Sequence, residues 1–346
     1  MRAVLELSAE QLQTWFTERG LPAYRARLVR SWLLHHQVQA FADMTDLPRA
    51  LRGQLADSFR LWATEVVACQ SAGDGTEKLL LQLADGERIE CVLLRDDKGH
   101  RTACVSTQVG CGMGCVFCAS GLDGLVRNLT SAEILEQMLR IQQRLPPGQS
   151  LTHVVVMGMG EPLANLEGLL PALATATSPE GPGISVRRVT ISTVGLPQAI
   201  QRLAEQGCPY HLAVSLHAPD DRLRSQIVPA ARRVPIASLL AAAEYYFRVT
   251  GRRITYEYVL LAGMNDQPRH ARQLARLIRG PGCLVNLIPY NPVAGLPFRT
   301  PPARAVSRFA ELLRQGGISV KIRYRKGDRI DAACGQLRRQ AADARP

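Results

Sequence analysis

The N-terminal part of the chain carries hydrophobic residues at the spacing of amphipathic helices. Leu12 and Phe16 follow Ser8, a residue that favours the start of a helix, and a second helical pattern covers 24–36. The arginines of the second pattern lie off its apolar face, so this region presents either an RNA-docking surface or an ordinary solvated face. We predict a helical accessory domain over residues 1–66.

Residues 67–100 show the pattern of a short β-hairpin. Two apolar runs, 78–83 and 89–94, flank an Asp-Gly dipeptide, which is typical of two-residue hairpin turns. The sequence therefore predicts a small antiparallel element that links the helical domain to the rest of the chain.

From residue 101 onward, buried strand patterns alternate with helical patterns. This alternation predicts parallel βαβ units, and the number of repeats favours a barrel over an open sheet. We predict an α/β fold whose core, over residues 101–337, is a partial (β/α) barrel, followed by a mobile tail over residues 338–346. The predicted strands are 151–157, 188–192, 211–215, 256–261, 283–289 and 319–323.

Composition and charge narrow the class of protein. The 346 residues carry a formal net charge of +12, which favours a polyanionic partner such as nucleic acid. No apolar run is long enough for a transmembrane helix, and the N-terminus lacks the continuous apolar core of a signal peptide. Nine cysteines, an odd number, favour a reducing environment over a disulfide framework, so we expect a cytoplasmic protein.

Three cysteines, Cys111, Cys115 and Cys118, form a C-x3-C-x2-C pattern. Soft thiolate ligands suit zinc, copper(I) or an iron–sulfur cluster. A structural zinc site usually has four ligands, and only the last two cysteines have the spacing of a zinc knuckle. Three thiolates on a 4Fe-4S cluster would leave one iron open to a small molecule, and a structural zinc loop is the alternative.

Polar residues at the ends of several predicted strands indicate a binding edge. Gly160 and Glu161 follow the first of these strands, where glycine permits close approach of a ligand and a carboxylate can accept hydrogen bonds from an amine. The carboxyl ends of parallel strands meet at one edge of a barrel, although any one such residue alone would be explained as a cap. The remaining polar residues at this edge are Ser192, Ser215, His217 and Asn291.

Two further cysteines lie outside the C-x3-C-x2-C pattern but close to chemistry-bearing segments. Cys104 lies seven residues before the pattern, and Cys334 precedes a glycine near the C-terminus, in a segment typical of an exposed loop. Free cysteines are more often buried bystanders, and the residues alone favour that interpretation for both.

Four segments are similar to the RlmN and Cfr families of radical S-adenosylmethionine (SAM) RNA adenine methyltransferases, and more closely to RlmN. The cysteine spacing, with Phe117 before the third cysteine, resembles the radical SAM superfamily, which implies a partial barrel of the radical SAM type. The resemblance extends from the N-terminal helices to about residue 337. The segments are Cys104–Cys111, Met157–Pro162, Ser215–Pro219 and Asp331–Leu337.

The resemblance implies two bound groups. Cys111, Cys115 and Cys118 would hold a 4Fe-4S cluster whose open iron binds SAM. The residues implied in SAM binding are Gly160, Glu161, Ser192, Ser215, Leu216, His217 and Asn291.

The resemblance also implies catalytic roles for three residues. Cys334 would take a methyl group from one SAM, and a radical made from a second SAM would convert it into a methylene radical that adds to the adenine. Cys104 would then release the product by attacking the sulfur of Cys334. Glu90 matches the family's proposed proton acceptor, on the short context of 89–94.

The activity implied by the resemblance is methylation of carbon-2 of an adenosine in 23S rRNA, free of protein or partly assembled. Transfer RNA is a second substrate of many members. The alternatives are the carbon-8 activity of the Cfr family and, from another class, a non-catalytic zinc-stabilised RNA-binding protein. The reaction implies an electron donor such as flavodoxin or ferredoxin, and the chain is expected to act as a monomer with no membrane partner.

Overall fold

The structure is a computed structural model that describes residues 1–207, 209–278, 283–323, 327 and 330–337. The segment predicted as a tail, 338–346, lies outside the described residues. Helices and strands alternate over most of the described chain after an N-terminal helical region. The helices are α1 (Ala9–Thr17), α2 (Arg25–Ser31), α3 (Arg49–Ser58), α4 (Ser131–Gln142), α5 (Leu166–Thr177), α6 (Pro197–Glu205), α7 (Asp221–Ile227), α8 (Ile236–Thr250), α9 (Pro268–Leu277) and α10 (Ala303–Gln315).

The N-terminal helices form where the sequence predicts them. Ser8 caps α1, because its hydroxyl accepts from the backbone N–H of Gln11 at 3.1 Å while the Gln11 side chain accepts from the Ser8 N–H at 3.0 Å. Leu12 and Phe16 on the inner face are buried. The helix predicted over 24–36 is α2 followed by one wider π-type stretch, Trp32–His36.

One sheet organises the molecule. Ten strands of the described chain form it, in the order β1-β2-β3-β4-β7-β8-β9-β10-β11-β12, and β5 and β6 pair as a separate hairpin. The strands are β1 (Thr64–Ser71), β2 (Glu77–Leu83), β3 (Arg88–Arg95), β4 (Arg101–Cys104), β5 (Gln108–Gly110), β6 (Leu125–Asn128), β7 (His153–Val156), β8 (Val189–Thr193), β9 (His211–Ser215), β10 (Ile254–Leu260), β11 (Cys283–Pro289) and β12 (Ser319–Ile322).

The sheet has two parts with different pairing. Strands β1 to β4 pair antiparallel, whereas β4, β7, β8, β9, β10, β11 and β12 pair parallel. Each parallel connection passes through at least one helix, as crossover geometry requires. No pairing among the described strands joins β12 back to β4, so the parallel part is an open, partial barrel. The prediction of an α/β partial barrel is confirmed.

Thr130 caps α4, since the Thr130 hydroxyl accepts from the Glu133 N–H at 3.2 Å and Glu133 accepts in return from the Thr130 N–H.

The structure corrects the extent of the predicted hairpin. The hairpin is part of a longer element, because β1 pairs with β2 along its whole length. The sequence does not predict β1, because all residues of this strand except the first are exposed. The strand therefore lacks the alternation of apolar and polar residues that is typical of a half-buried strand.

A buried polar cluster joins the start of β1 to α4. The carboxylate of Glu136 accepts hydrogen bonds from the backbone N–H groups of Ala63 and Thr64 and from the Thr64 hydroxyl, at 2.8 to 2.9 Å. Arg140, one turn further along α4, donates to the Thr64 carbonyl at 2.5 Å and lies 4.5 Å above the Trp62 ring. We call Glu136, Arg140, Ala63 and Thr64 the helix–sheet knot.

Candidate active site

The loop that carries Cys111, Cys115 and Cys118, residues 111–118, begins directly after β5, and we call it the cysteine loop. Gly110, the last residue of β5, has a left-handed backbone (φ 75°), and a Cβ there would lie 2.0 Å from the carbonyl oxygen of Gly124. Only glycine fits this position. The N–H of Cys111 then donates to the same carbonyl at 2.9 Å, which fixes where the loop leaves the hairpin.

The three thiols of the loop are half-buried neighbours. Burial raises the pKa of Cys111 to about 11 and raises the pKa values of Cys115 and Cys118 as well. Cys118 adds to the rise at Cys111, and both of these thiols add to the rise at Cys115. Among the described residues, no three His, Cys, Asp or Glu side chains converge on a single metal ion. A four-iron cluster makes a different demand, because each thiolate binds a separate iron. Three adjacent soft ligands in a partly enclosed loop therefore fit such a cluster, which would draw the thiols into their thiolate form.

Gly160 and Glu161 lie where the chain leaves β7. Gly160 is left-handed (φ 100°), and a Cβ there would collide with Gln108 at 2.6 Å. Glu161 is buried, with one carboxylate oxygen accepting from Leu163 N–H at 3.0 Å and the other from Val194 N–H at 2.7 Å. These bonds fix the carboxylate beside the cysteine loop, where it raises the pKa of Cys115.

His217 adopts a strained left-handed backbone (φ 58°) in a buried position. Its ring meets Phe117 of the cysteine loop edge-to-face at 4.9 Å. Burial and the nearby Arg224 lower the pKa of His217 to about 3, so the ring is neutral. Because its Nδ1 accepts from Val259 N–H at 3.1 Å, the ring hydrogen is on Nε2 and that nitrogen is a donor.

Two buried side chains that the sequence did not point to hold these loops together. Arg224 of α7 donates to the Val194 carbonyl at 2.5 Å and to the Leu216 carbonyl at 3.2 Å. Asn265 donates to the His217 carbonyl at 2.8 Å and accepts from Leu261 N–H at 2.7 Å. The only available signal was their proximity in sequence to strand ends, which is shared by many ordinary caps.

The remaining SAM-binding candidates lie at the carboxyl ends of neighbouring strands, as predicted. Ser192 is the penultimate residue of β8 and Ser215 the last residue of β9, and both are half-buried. Leu216 is buried, and its N–H donates to the Glu257 carbonyl at 3.0 Å. Asn291 follows β11 and is buried.

The loop that carries Cys334 is fastened to this edge of the barrel. Asn291 Nδ2 donates to the Cys334 carbonyl at 3.1 Å, and Gln336 donates to the Pro292 carbonyl at 2.8 Å. The N–H of Ala119, next to Cys118, donates to the Gly335 carbonyl at 2.7 Å. Cys334 itself is exposed, so a thiol on a fixed loop is presented beside the cysteine loop.

Cys104 and Cys334 share the wall of one cavity, of about 590 Å³, inside the partial barrel. Alternate residues of β10 and β11 line it, since successive side chains of a strand point to opposite faces, and Lys321 and Ile322 of β12 also contribute. Both cysteines are free thiols. Burial and Cys334 raise the pKa of Cys104 to about 12, and Arg323, also in the wall, acts in the opposite direction. We call this space the barrel cavity.

Glu90 does not contribute to the wall of the barrel cavity among the described residues. It lies on β3 with an exposure of 2%, and its carboxylate pairs with the Lys78 ammonium at 2.9 Å. Val92, two residues further along β3, stands opposite Cys104 in the antiparallel register. Glu90 is therefore on the same face of β3 as the residue that faces Cys104.

The fold and the cysteine loop define a radical SAM enzyme. The sequence profile of the Radical SAM superfamily matches residues 105–275, and that of the ribosomal RNA large subunit methyltransferase N-terminal domain matches residues 3–61. A crystal structure of a radical SAM methyltransferase from Sphaerobacter thermophilus, 44% identical, superposes with a TM-score of 0.94 over 98% of this chain and 99% of that chain.

Curated relatives narrow the class to one family. A probable dual-specificity RNA methyltransferase RlmN of Rhodopirellula baltica is 57% identical over 99% of this chain and 92% of its own length. The dual-specificity RNA methyltransferase RlmN of Halorhodospira halophila is 45% identical over 99% of this chain and 95% of its own length. The chain belongs to the RlmN family of radical SAM RNA methyltransferases.

Family membership excludes the alternative that came from another class of protein. The chain is an RNA-modifying methyltransferase, so the non-catalytic zinc-stabilised RNA-binding protein is wrong. The superfamily uses SAM and a 4Fe-4S cluster, which agrees with the expected cofactors. In the described part of the chain, none of the helices combines the length and hydrophobicity needed to cross a membrane.

Proposed function

We propose that this chain methylates carbon-2 of an adenosine in 23S rRNA, and in some transfer RNAs, through a methyl group carried first on Cys334. The observation that carries this proposal is the pairing of two free thiols, Cys104 and Cys334, in the wall of one cavity beside the cysteine loop. An enzyme that only bound RNA or only cleaved SAM would have no use for a second thiol there.

The bound groups would occupy the carboxyl edge of the barrel. Cys111, Cys115 and Cys118 would hold a 4Fe-4S cluster, and when bound it supplies the electron that cleaves SAM to a radical able to abstract hydrogen. The residues that would hold SAM are Gly160, Glu161, Ser192, Ser215, Leu216, His217 and Asn291. His217 would offer its Nε2–H as a donor, and the fixed carboxylate of Glu161 would attract the SAM ammonium group.

The chemistry of the target explains why a thiol must carry the methyl group. Carbon-2 of adenine is electrophilic and cannot displace a methyl group from SAM directly. The exposed Cys334 sulfur is a nucleophile, so it can take the methyl group with loss of its proton. Removal of one hydrogen atom from that methyl group leaves a methylene radical, which adds to carbon-2 and joins enzyme and RNA covalently.

Resolution of the adduct requires a base and the second thiol. One electron would pass from the adduct to the 4Fe-4S cluster, which SAM cleavage would have left oxidised. The carbon-2 proton would pass to the carboxylate of Glu90, which lies 2.9 Å from the Lys78 ammonium. Cys104 sulfur then attacks Cys334 sulfur, and a disulfide forms as the sulfur–carbon bond breaks. The electron pair of that bond stays with the methylene carbon, which takes a proton and becomes the methyl group.

The charge of the chain and its free thiols fit the proposed partners. A net charge of +12 favours RNA, whose phosphates would be neutralised on binding. The disulfide formed in each cycle must be reduced again, which fits a cytoplasmic enzyme. An electron donor such as flavodoxin or ferredoxin would reduce the cluster, and nothing in the proposal requires more than one copy of the chain.

The experiment is an anaerobic assay. The protein is reconstituted with iron and sulfide, reduced, and incubated with SAM and protein-free 23S rRNA or transfer RNA, and the RNA is then digested to nucleosides for mass spectrometry. We expect 2-methyladenosine, and its absence with Cys334→Ala. Formation of 8-methyladenosine would assign the Cfr-type activity, and an RNA left unmethylated by an enzyme that still releases 5′-deoxyadenosine would contradict the proposed substrates.

A further inference from the structure

Two buried polar side chains in the barrel cavity have no part in the mechanism above. Glu257 on β10 and Asn286 on β11 stand opposite each other in the parallel register. They are 5% and 6% exposed, and both line the same cavity as Cys104 and Cys334. Asn286 Nδ2 donates to Glu257 Oε2 at 2.8 Å.

The other polar atom of the Asn286 amide, its carbonyl oxygen, takes no part in this hydrogen bond. Asn286 Oδ1 is buried and has no hydrogen-bond partner among the residues that the structure describes. Buried acceptors are rarely unpaired in native proteins, and each exception needs an explanation. Because this one lies in the wall of a cavity, a ligand that donates a hydrogen bond explains it.

Glu257 is equipped to act as a donor beside that acceptor. Burial raises the pKa of Glu257 to about 7, against the opposing influence of Arg323 and Lys321. The carboxyl group therefore carries a proton on a substantial fraction of molecules near neutral pH. Only Oε2 takes part in the hydrogen bond with Asn286, which leaves Oε1 for the cavity.

The pair is also firmly placed relative to the reacting groups. The Glu257 carbonyl accepts from the N–H groups of Leu216 and His217, at 3.0 and 3.3 Å. Arg323 interacts electrostatically with Glu257 and with both Cys104 and Cys334. One guanidinium thus acts electrostatically on Glu257 of the buried pair and on both thiols.

We propose that Asn286 and Glu257 form a subsite that reads the N1 and 6-amino edge of the target adenine. Asn286 Oδ1 accepts from the 6-amino group, and the Glu257 carboxyl donates to N1. This edge is the one that distinguishes adenine from guanine and the pyrimidines. The inference rests on the proposed function, because it supposes that the target adenine enters the barrel cavity.

The proposed orientation has a consequence for which carbon reacts. Carbon-2 is bonded to N1, whereas carbon-8 lies on the far side of the purine. A base held by its N1 edge in the cavity therefore has carbon-2, and not carbon-8, near the residues that hold it. A hydrogen bond to N1 also withdraws electrons from carbon-2, which favours addition of a carbon radical there.

The test is a coupling measurement on holoenzyme with a short RNA that contains either adenosine or purine riboside, which lacks the 6-amino group, at the target position. The wild type should methylate the purine RNA with kcat/KM about tenfold lower, the size of one lost hydrogen bond in a buried site. Asn286→Ala should be slower on adenosine and should no longer distinguish the two RNAs. The preference of each enzyme is its kcat/KM on the adenosine RNA divided by its kcat/KM on the purine RNA. Any difference in intrinsic reactivity between the two bases cancels when the wild-type preference is divided by that of Asn286→Ala.

Thr255→Val is the matched control. Thr255 lines the same cavity two residues before Glu257, and its variant should keep the full tenfold discrimination. Iron content and the thermal midpoint of each variant report whether it has folded. A discrimination that persists unchanged in Asn286→Ala overturns the proposal.

The wild type alone provides a second test. If it makes 2-methyladenosine and treats both RNAs alike, the subsite is wrong while the proposed function stands. If it makes 8-methyladenosine instead, both are overturned. A purine penalty in the wild type that disappears in Asn286→Ala and persists in Thr255→Val supports the subsite.

Discussion

Two buried glutamates, Glu136 in the helix–sheet knot and Glu257 in the barrel cavity, both have a raised pKa but have different surroundings. Burial raises the pKa of each to about 7. Three protein donors surround the Glu136 carboxylate, whereas the hydrogen bonds of the described residues give Glu257 one donor, Asn286, whose own oxygen is unpaired.

The difference separates structural from functional burial. In the knot, none of the buried side-chain nitrogens and oxygens of these described residues lacks a hydrogen-bond partner, so the cluster fixes α4 against the start of the sheet. In the barrel cavity, free thiols and an unpaired amide oxygen keep capacity for a ligand. Changes in the knot should therefore affect stability without changing chemistry, and changes around the cavity should do the reverse.

The largest effect is expected at Cys334, the proposed methyl carrier. Cys334→Ala should abolish RNA methylation, because no other nucleophile stands at the end of the fastened loop, and iron content should be unchanged. Nucleoside mass spectrometry and iron analysis measure the two quantities. Cys283→Ala, at a half-buried cysteine on β11, is the control and should retain activity. Methylation by Cys334→Ala at the wild-type rate would refute the carrier role.

The next largest effect should fall on stability alone. Glu136→Ala removes an acceptor that serves three buried donors and leaves them unpaired, and should lower the free energy of unfolding by about 3–5 kcal/mol. Chemical denaturation measures this, with the exposed Glu244→Gln on α8 as control. Below its unfolding transition the variant should still form methylated nucleoside. A variant with normal stability would remove the contrast between the two centres.

Glu90→Gln should slow catalysis about 100-fold, a loss typical of removing a general base. The amide keeps the shape of the side chain but cannot take the carbon-2 proton. We expect the fall in kcat, with little change in KM, in steady-state assays. Glu77→Gln is a matched control, since Glu77 lies on neighbouring β2 and pairs with Arg95 and Arg144. Equal effects of the two substitutions would indicate a purely structural role for Glu90.

The smallest effect is a dependence of stability on pH. A carboxyl whose folded pKa of about 7 exceeds the unfolded value binds extra protons in the native state. Its contribution to stability therefore falls as pH rises from the unfolded pKa toward 7 and levels off above that pH. Between about pH 6 and pH 8, the wild type should lose about 1 kcal/mol relative to Glu257→Gln. Unfolding curves at both pH values measure it, and the contribution of Glu136 cancels in the difference. Parallel pH profiles would contradict the raised pKa.

The architecture could be predicted from sequence because its signals are local. Apolar runs such as 211–215 and 283–289 coincide with β9 and β11, and the helical pattern over 24–36 coincides with α2 and the π-type stretch after it. Strand β1 has no such signal, since its residues are exposed on both faces and only pairing with β2 defines it. Tertiary pairing, and not local pattern, decides such a strand.

The candidate site likewise contains residues that the sequence predicts and residues that only the structure reveals. Cys111, Cys115 and Cys118 were found by their spacing, and the roles assigned to Cys104, Cys334 and Glu90 came from resemblance and stay predictions. Arg224 and Asn265 act through contacts between distant loops, which a single sequence does not report. The unpaired oxygen of Asn286 is likewise visible only once β10 and β11 are side by side.

The most direct test of the account is to trap the covalent intermediate with Cys104→Ala. This variant keeps Cys334, the proposed methyl carrier, and lacks the thiol that is proposed to resolve the adduct. The account predicts a protein–RNA adduct on denaturing gels, linked through one carbon between Cys334 and the adenine, and no such adduct with Cys104→Ala/Cys334→Ala. Release of methylated RNA by Cys104→Ala at the wild-type rate, without any adduct, would contradict the two-thiol mechanism.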